Sequence, residues 1–231
     1  MARETEIKLR VESVAELRKK LKRVGAQTVT AGLGRVHEWN TLYDTEGGDL
    51  RGRDELLRVR VETPARAAGP RNRISKSGKA KTGKRFVLTF KGPVRGAAVR
   101  LSAKDGGKLS AFGGEHKVRE EIELEVSDAK ALGAIFAGLR MRESFHYEKY
   151  RTTFRMPESN RWAKGLLIEL DETPIGNFVE LEGPSRAIDR VAKLLGFSKD
   201  EYVLASYLRL HAEKCIGRGE KVGDMVFRTR K

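Results

Sequence analysis

Glu4-Thr5-Glu6-Ile7-Lys8 places a charge at every second residue, with both signs represented. In a strand, side chains at i, i+2 and i+4 share a face, so Glu4, Glu6 and Lys8 project together while Thr5, Ile7 and Leu9 face the other way. Taken alone, such a stretch is also what a half-buried strand with a wet outer face looks like. Recurrence argues for chemistry instead. Glu121-Ile122-Glu123, Glu169-Leu170-Asp171 and Glu180-Leu181-Glu182 repeat the carboxylate-apolar-carboxylate pattern, and Arg58-Val59-Arg60 and Lys149-Tyr150-Arg151 are its cationic counterparts. Two carboxylates about 5 Å apart repel by roughly 3 kcal/mol at an effective dielectric near 20, so several such pairs brought indoors need cations. Lys8, Arg58, Arg60, Lys91, Arg119, Lys149 and Arg151 offset part of that repulsion. The remainder calls for a hard divalent ion on an acidic side and a multiply charged anion on a basic side.

The elements that must position these residues can be read in order. The first strand stops near Ser13, where Ser13-Val14-Ala15-Glu16 is a capping box. Val14, Leu17, Leu21 and Val24 then recur at helical spacing up to Gly25. Strands are predicted over 34–43, around Arg58 and Arg60, over Phe86–Lys91 and over Lys117–Val126. A helix begins near Ser127 with Leu132, Ile135 and Phe136 on one face, and strands resume over 144–155, 165–171 and 176–182. Ser185–Leu195, closed by Gly196, reads as a helix, and Ser198-Lys199-Asp200-Glu201 as the capping box of another. The stretch from Cys215 to Lys231 is polar and basic, with no legible pattern. Between Glu62 and Phe86 there is no acidic residue, whereas Arg66, Arg71, Arg73, Lys76, Lys79, Lys81, Lys84 and Arg85 all occur. That composition reads as a flexible basic insertion, and the Gly-rich run from Gly92 to Gly114 as a second.

The count is about eight strands and four helices, with most strands charged on one face and apolar on the other. A sandwich would leave every charged face in water. A closed eight-stranded barrel has room for one small ligand, and if its apolar faces point outward under amphipathic helices the charged faces must line the lumen. The 231 residues, 39% apolar, suffice for one core, and the net charge of +15 asks for an anionic partner.

At this point the ordered motifs resemble a family. Glu4-x-Glu6-x-Lys8, Leu57-Arg58-Val59-Arg60, Leu88-Thr89-Phe90-Lys91-Gly92, Arg119-Glu120-Glu121-Ile122-Glu123, Glu148-Lys149-Tyr150-Arg151 and Leu170-Asp171-Glu172-Thr173 running on to Glu180-Leu181-Glu182-Gly183 are similar to the CYTH, or triphosphate tunnel metalloenzyme, family. The resemblance implies an α+β fold, an eight-stranded antiparallel β-barrel tunnel with a polar, charged lumen and flanking helices. It spans residues 1–212, interrupted by basic insertions near 64–84 and 95–114 and followed by a basic tail over 213–231. It implies Mg²⁺ or Mn²⁺ dependence and a small-molecule substrate bearing a triphosphate. Metal-binding carboxylates are expected at Glu4, Glu6, Glu180 and Glu182, with Glu169, Asp171, Glu121 and Glu123 beside them. The phosphate clamp is expected at Lys8, Arg58, Arg60, Lys91, Arg119, Lys149 and Arg151, with Glu4, Glu6 and Lys8 as the catalytic set.

Hydrolysis of a terminal phosphate, from inorganic triphosphate, thiamine triphosphate or a nucleoside triphosphate, is the expected activity. Class IV adenylate cyclisation of ATP to cyclic AMP and pyrophosphate is the near alternative, and a polyphosphate- or RNA-binding module the distant one. His37, His116, His146 and His211 lack ligand spacing, and no P-loop motif occurs. Trp39, Phe145 and Tyr147 are read as core rather than base-stacking residues. Nucleic acid is not the expected partner, since no recognised motif accompanies the basic loop. A lone Cys215, no signal-like start and no apolar run of spanning length lead to an expected cytoplasmic setting without a membrane; a homodimer is left open.

Overall fold

β1 (Ala2–Val11), the strand with the alternating charges, is the seam of the sheet. It pairs antiparallel with β6 (Lys117–Val126) on one edge and with β9 (Gly176–Glu182) on the other. From β6 the ladder continues through β5 (Arg85–Lys91), β4 (Leu56–Pro64), β3 (Arg35–Thr45) and β7 (Met141–Arg155) to β8 (Leu167–Thr173), which pairs back onto β9. Eight strands thus close into an antiparallel barrel, and the two-residue β2 (Gln27–Thr28) is added to β7. This computed structural model describes residues 2–29, 34–65, 84–95 and 116–228. Most of the two insertions read from the sequence, including Arg66 to Lys81, lies outside the described residues.

The apolar faces point outward, as the alternation requires. Ile7 and Leu9 of β1, Ile168 and Leu170 of β8, and Val179 and Leu181 of β9 are buried beneath α1 (Val14–Arg23) and α4 (Ser185–Leu194), whose Leu17, Leu21, Ile188 and Val191 meet them. Each such aliphatic side chain stabilises by about 1.5–3 kcal/mol on leaving water. The Ser13 hydroxyl accepts the Glu16 N–H, but Glu16 turns its carboxylate to Lys19 at 2.7 Å, so only half of the expected capping box forms.

The helix after β6 is α3 (Ala129–Gly138), capped by the Asp128 carboxylate. Phe136 packs on Tyr43 with ring centroids 4.8 Å apart, whereas Ile135, expected beside it, is 58% exposed. A single helical turn, α2 (Asp49–Gly52), sits between β3 and β4 with its Leu50 and Arg51 N–H groups donating to Asp44.

The largest departure from the sequence reading lies after α4. The capping box at Ser198 forms, yet only a 3₁₀ turn over Lys199–Glu201 follows it. Helix cannot propagate there because Val203 must stay extended: its N–H donates to Lys8 O and its O accepts from Lys8 N, at 2.8 and 3.1 Å. The helix starts instead at α5 (Tyr207–Ile216), capped by Ser206. The stretch beyond it, patternless in the sequence, also has a place. Met225 is fully buried, donates to His146 O at 2.9 Å and accepts from Glu148 N at 3.0 Å. Past Glu6, β1 has left β6 and takes Val203; below Tyr150, β7 has left β8 and takes Met225. The barrel therefore splays at one end, and the segments flanking α5 fill both gaps. Leu42, Phe145, Phe178, Leu210 and Tyr207 close that end as a second apolar cluster. Among the described residues no helix is long and apolar enough to cross a membrane.

Candidate active site

With the apolar faces outward, the alternating partners converge in the barrel. A cavity of about 260 Å³ is lined by Glu4, Glu6 and Lys8 of β1, Arg58 and Arg60 of β4, Lys91 of β5, Lys117, Arg119, Glu121 and Glu123 of β6, Lys149 and Arg151 of β7, Glu169 of β8, and Glu180 and Glu182 of β9. Asp171, fully buried, lies behind it and holds Lys149 at 2.8 Å and Arg151 at 2.6 Å. The carboxylates and cations expected as metal and phosphate ligands thus meet in one place. Tyr207, at the first turn of α5, forms the floor. Its hydroxyl donates to Asp171 Oδ2 at 2.8 Å, and its ring lies 5.5 Å from Lys8 Nζ and 5.2 Å from Lys149 Nζ.

Cations and carboxylates interleave rather than occupying two sides. Lys91 holds Glu4 at 2.6 Å and Glu121 at 3.2 Å; Lys117 holds Glu6 at 2.7 Å; Lys8 stands 3.2 Å from both Glu6 and Glu180. Arg60 holds Glu123 at 2.8 Å, and Arg151 touches both Glu169 and Glu180. Burial works against the charged form of Glu6 and Glu180, but the surrounding lysines, with Arg151 on Glu180, hold both carboxyls well below the usual carboxylate range.

In one corner this compensation falls short, with Lys91 set against several carboxylates. Burial, with the neighbouring Glu4, pushes Glu121 up to about 7, and burial, with Glu4 and Glu169, pushes Glu182 up to about 8. This donor set fits a hard divalent cation: it is all oxygen, and its crowding is what such an ion relieves. Glu4, Glu6, Glu121 and Glu182 are the residues that would hold it. Among the described residues no three acidic or histidine side chains are already gathered around a vacant point, since Glu4 and Glu6 are turned onto lysines.

Two arginines that line the cavity have a donor without a partner: Arg58 Nε and Arg119 Nε are buried and make no hydrogen bond, and Asn40 Nδ2, fully buried on β3, makes none either. Arg119 reaches out of the lumen to donate to Asp54 O at 2.7 Å, while Arg58 donates to Tyr147 Oη at 3.2 Å and Thr89 Oγ1 at 3.0 Å. The aromatic residues divide as follows. Phe145 and Tyr147 are buried, but Trp39 faces outward, 39% exposed, with its ring 5.8 Å from that of His146. The four histidines stand apart on Glu148, Asp189, Asp224 and the Gly223 carbonyl.

Sequence reasoning missed three residues of the site. Lys117 continues the Arg119-x-Glu121-x-Glu123 alternation by one step and was legible. Glu38 is paired along its strand with neutral Asn40, so the doubled-charge signature does not mark it. Tyr207 reaches the lumen from a helix, outside any strand pattern.

A family model described as the CYTH domain matches residues 2–200. A curated protein of Methanocaldococcus jannaschii that carries a provisional adenylate cyclase name is 23% identical over 212 residues, covering 90% of this chain and 97% of its own. A solved Pyrococcus horikoshii structure is similar with a TM-score of 0.62 at 22% identity, covering 91% of this chain and 99% of its own. A Hippeastrum protein described as an adenylyl cyclase with a dominant triphosphatase activity is similar with a TM-score of 0.50 at 21% identity, covering 94% and 97%.

Proposed function

The chain belongs to the CYTH domain family, and from that premise we propose that it is a divalent-metal-dependent hydrolase that removes the terminal phosphate of a triphosphate compound. The observation that carries the reading is the lumen: buried guanidinium N–H groups with no partner stand in one cavity with an under-compensated carboxylate corner. A pure polyanion binder gains nothing from that acidic corner. When bound, Mg²⁺ or Mn²⁺ supplies charge neutralisation at the phosphate oxygens.

The chain's own residues do the rest. Arg58, Arg60, Lys149 and Arg151 bind and orient the phosphates, Lys8 meets the charge that develops on the transferring group, and the Tyr207 floor with its apolar backing limits water at the closed end. Phosphoryl transfer asks for positioning and neutralisation, which these groups provide.

Adenylate cyclisation is the second reading, favoured by the names of the relatives. It needs the ribose folded back and the base held. The apolar lining of the cavity is Leu42, Leu56, Leu167 and Leu208, and the rings of both lining tyrosines already have partners, Tyr207 in Lys8 and Lys149 and Tyr147 in Phe145 and Tyr207, so the described lumen gives little support to stacking of an adenine. This supports hydrolysis. The test is incubation of purified protein with Mg²⁺ or Mn²⁺ and, separately, inorganic triphosphate, thiamine triphosphate and ATP, resolving orthophosphate, pyrophosphate and cyclic AMP. Orthophosphate from inorganic or thiamine triphosphate is expected. Cyclic AMP with stoichiometric pyrophosphate, and no orthophosphate from inorganic triphosphate, would falsify the ordering. Glu4→Gln and Glu6→Gln are each expected to lower turnover at least about a hundredfold, roughly 3 kcal/mol of transition-state stabilisation. Unchanged turnover in either variant, or in excess chelator, removes the metal from the reading.

A further inference from the structure

Glu38 lies on β3 with 2% of its surface exposed and faces inward beside Asn40. Its carboxylate stands 3.6 Å from Arg60 Nη1, 3.6 Å from Lys149 Nζ and 3.7 Å from Arg151 Nε, and its Oε2 accepts no hydrogen bond. Glu4 and Glu6, by contrast, each grip a cation at contact, Glu4 on Lys91 at 2.6 Å and Glu6 on Lys117 at 2.7 Å. Glu38 instead lies nearly equidistant from three cations, each of which has a closer partner elsewhere: Glu123 for Arg60, and Asp171 for both Lys149 and Arg151. An ordinary salt bridge would have drawn one of them in.

We propose that Glu38 is a positioning residue for the anion-binding cations: a fixed buried negative charge that keeps Arg60, Lys149 and Arg151 convergent while the site is empty and opposes a polyanion once it arrives. The proposal rests on the polyphosphate reading above. Asp171 already joins Lys149 to Arg151, but Glu38 is the carboxylate that faces Arg60 as well. Like charges in a buried site repel, and without this common counter-charge Arg60 parts from the other two unless an anion replaces it. Glu38 therefore trades affinity for alignment. Its charge weakens anion binding, holds the empty protein together and sets the cations where the transferring phosphate needs them.

The experiment compares wild type, Glu38→Gln and Glu38→Asp by calorimetric titration with inorganic tripolyphosphate in chelator, by thermal melts with and without it, and by steady-state kinetics with Mg²⁺. Glu38→Gln is expected to melt lower when empty, to bind tripolyphosphate at least about fivefold tighter, and to lose at least about tenfold in kcat while KM falls with it. Glu38→Asp, which keeps the charge, is expected to stay within about threefold of wild type. A Glu38→Gln protein that binds and turns over like wild type, or that binds more weakly, overturns the proposal. If Glu38→Gln does not accumulate in folded form, purification in tripolyphosphate decides: recovery supports the role and failure to recover counts against it. Wild type that binds no tripolyphosphate sinks the polyanion reading and this proposal with it, whereas wild-type binding with an indifferent Glu38→Gln sinks this proposal alone.

Discussion

Glu121 and Glu182 share a corner of the lumen where carboxylates outnumber the lysines that reach them, and that imbalance has a pH signature. Burial together with the neighbouring carboxylates raises Glu121 to about 7 and Glu182 to about 8 in the folded protein, while in the unfolded chain both titrate near 4.3. Between those values the folded state holds protons that the unfolded state has released, so their contribution to stability is present at low pH and is lost as the pH rises towards about 8. Glu6, Glu38 and Glu180 are shifted the other way and act only at the acid end. The metal-free protein is therefore expected to melt at a lower temperature at pH 8.5 than at pH 6, and Mg²⁺ or Mn²⁺ is expected to flatten the difference by taking the proton's place. Melts in chelator that are level or rise over this interval would show the corner to be uncrowded. The residues of this corner were legible because they come in pairs two apart. What the pairs could not reveal is the mixing: Lys117 against Glu6 and Lys91 against Glu4 are contacts between strands far apart in the chain, and alternation within one strand carries no information about its neighbour.

Among the elements, strands were read closely because period two is a strong signal when every second residue is charged; β6 and β9 have the bounds read from sequence. Helix beginnings were read less well where a cap competes with a tertiary demand, as at Ser198, where the extended Val203 overrides a complete capping box. The end of β9 shows how tightly an element can be held. Gly183 follows Glu182 with φ of +142°, donates its N–H to Thr5 O at 3.0 Å, and has no room for a side chain: an added Cβ would lie 2.6 Å from Gly165 O and 3.0 Å from Leu166 Cα. Both contacts are backbone, so neither can swing aside. Gly183→Ala is expected to cost about 3 kcal/mol from strain and overlap and to displace Glu182 from the lumen. Urea denaturation with a midpoint like that of wild type would contradict the packing described.

For the molecule as a whole, the barrel and its helices followed from amphipathic strands and spaced aliphatic residues, whereas the closed end did not. Met225 opens a short apolar run, Met225-Val226-Phe227, in a basic stretch, and its burial is decided by a gap between β7 and β8 that no local pattern announces. Met225→Ala is expected to destabilise by about 2–5 kcal/mol and to lower turnover as well, because the segment it pins backs the Tyr207 floor; a loss of stability with kcat fully retained would separate the end cluster from the site. The seam at β1 carries a different consequence, one of time rather than of energy. Glu4, Glu6 and Lys8 belong to a strand whose two neighbours, β6 and β9, come from the middle and the far end of the domain. Hairpins such as β3–β4 and β8–β9 can zip up locally, but β1 must wait for both edges to be presented, and contacts so distant in sequence form late. Tripolyphosphate binding followed during refolding should accordingly lag behind the growth of sheet signal, because the strand that begins the chain is the last to find its place.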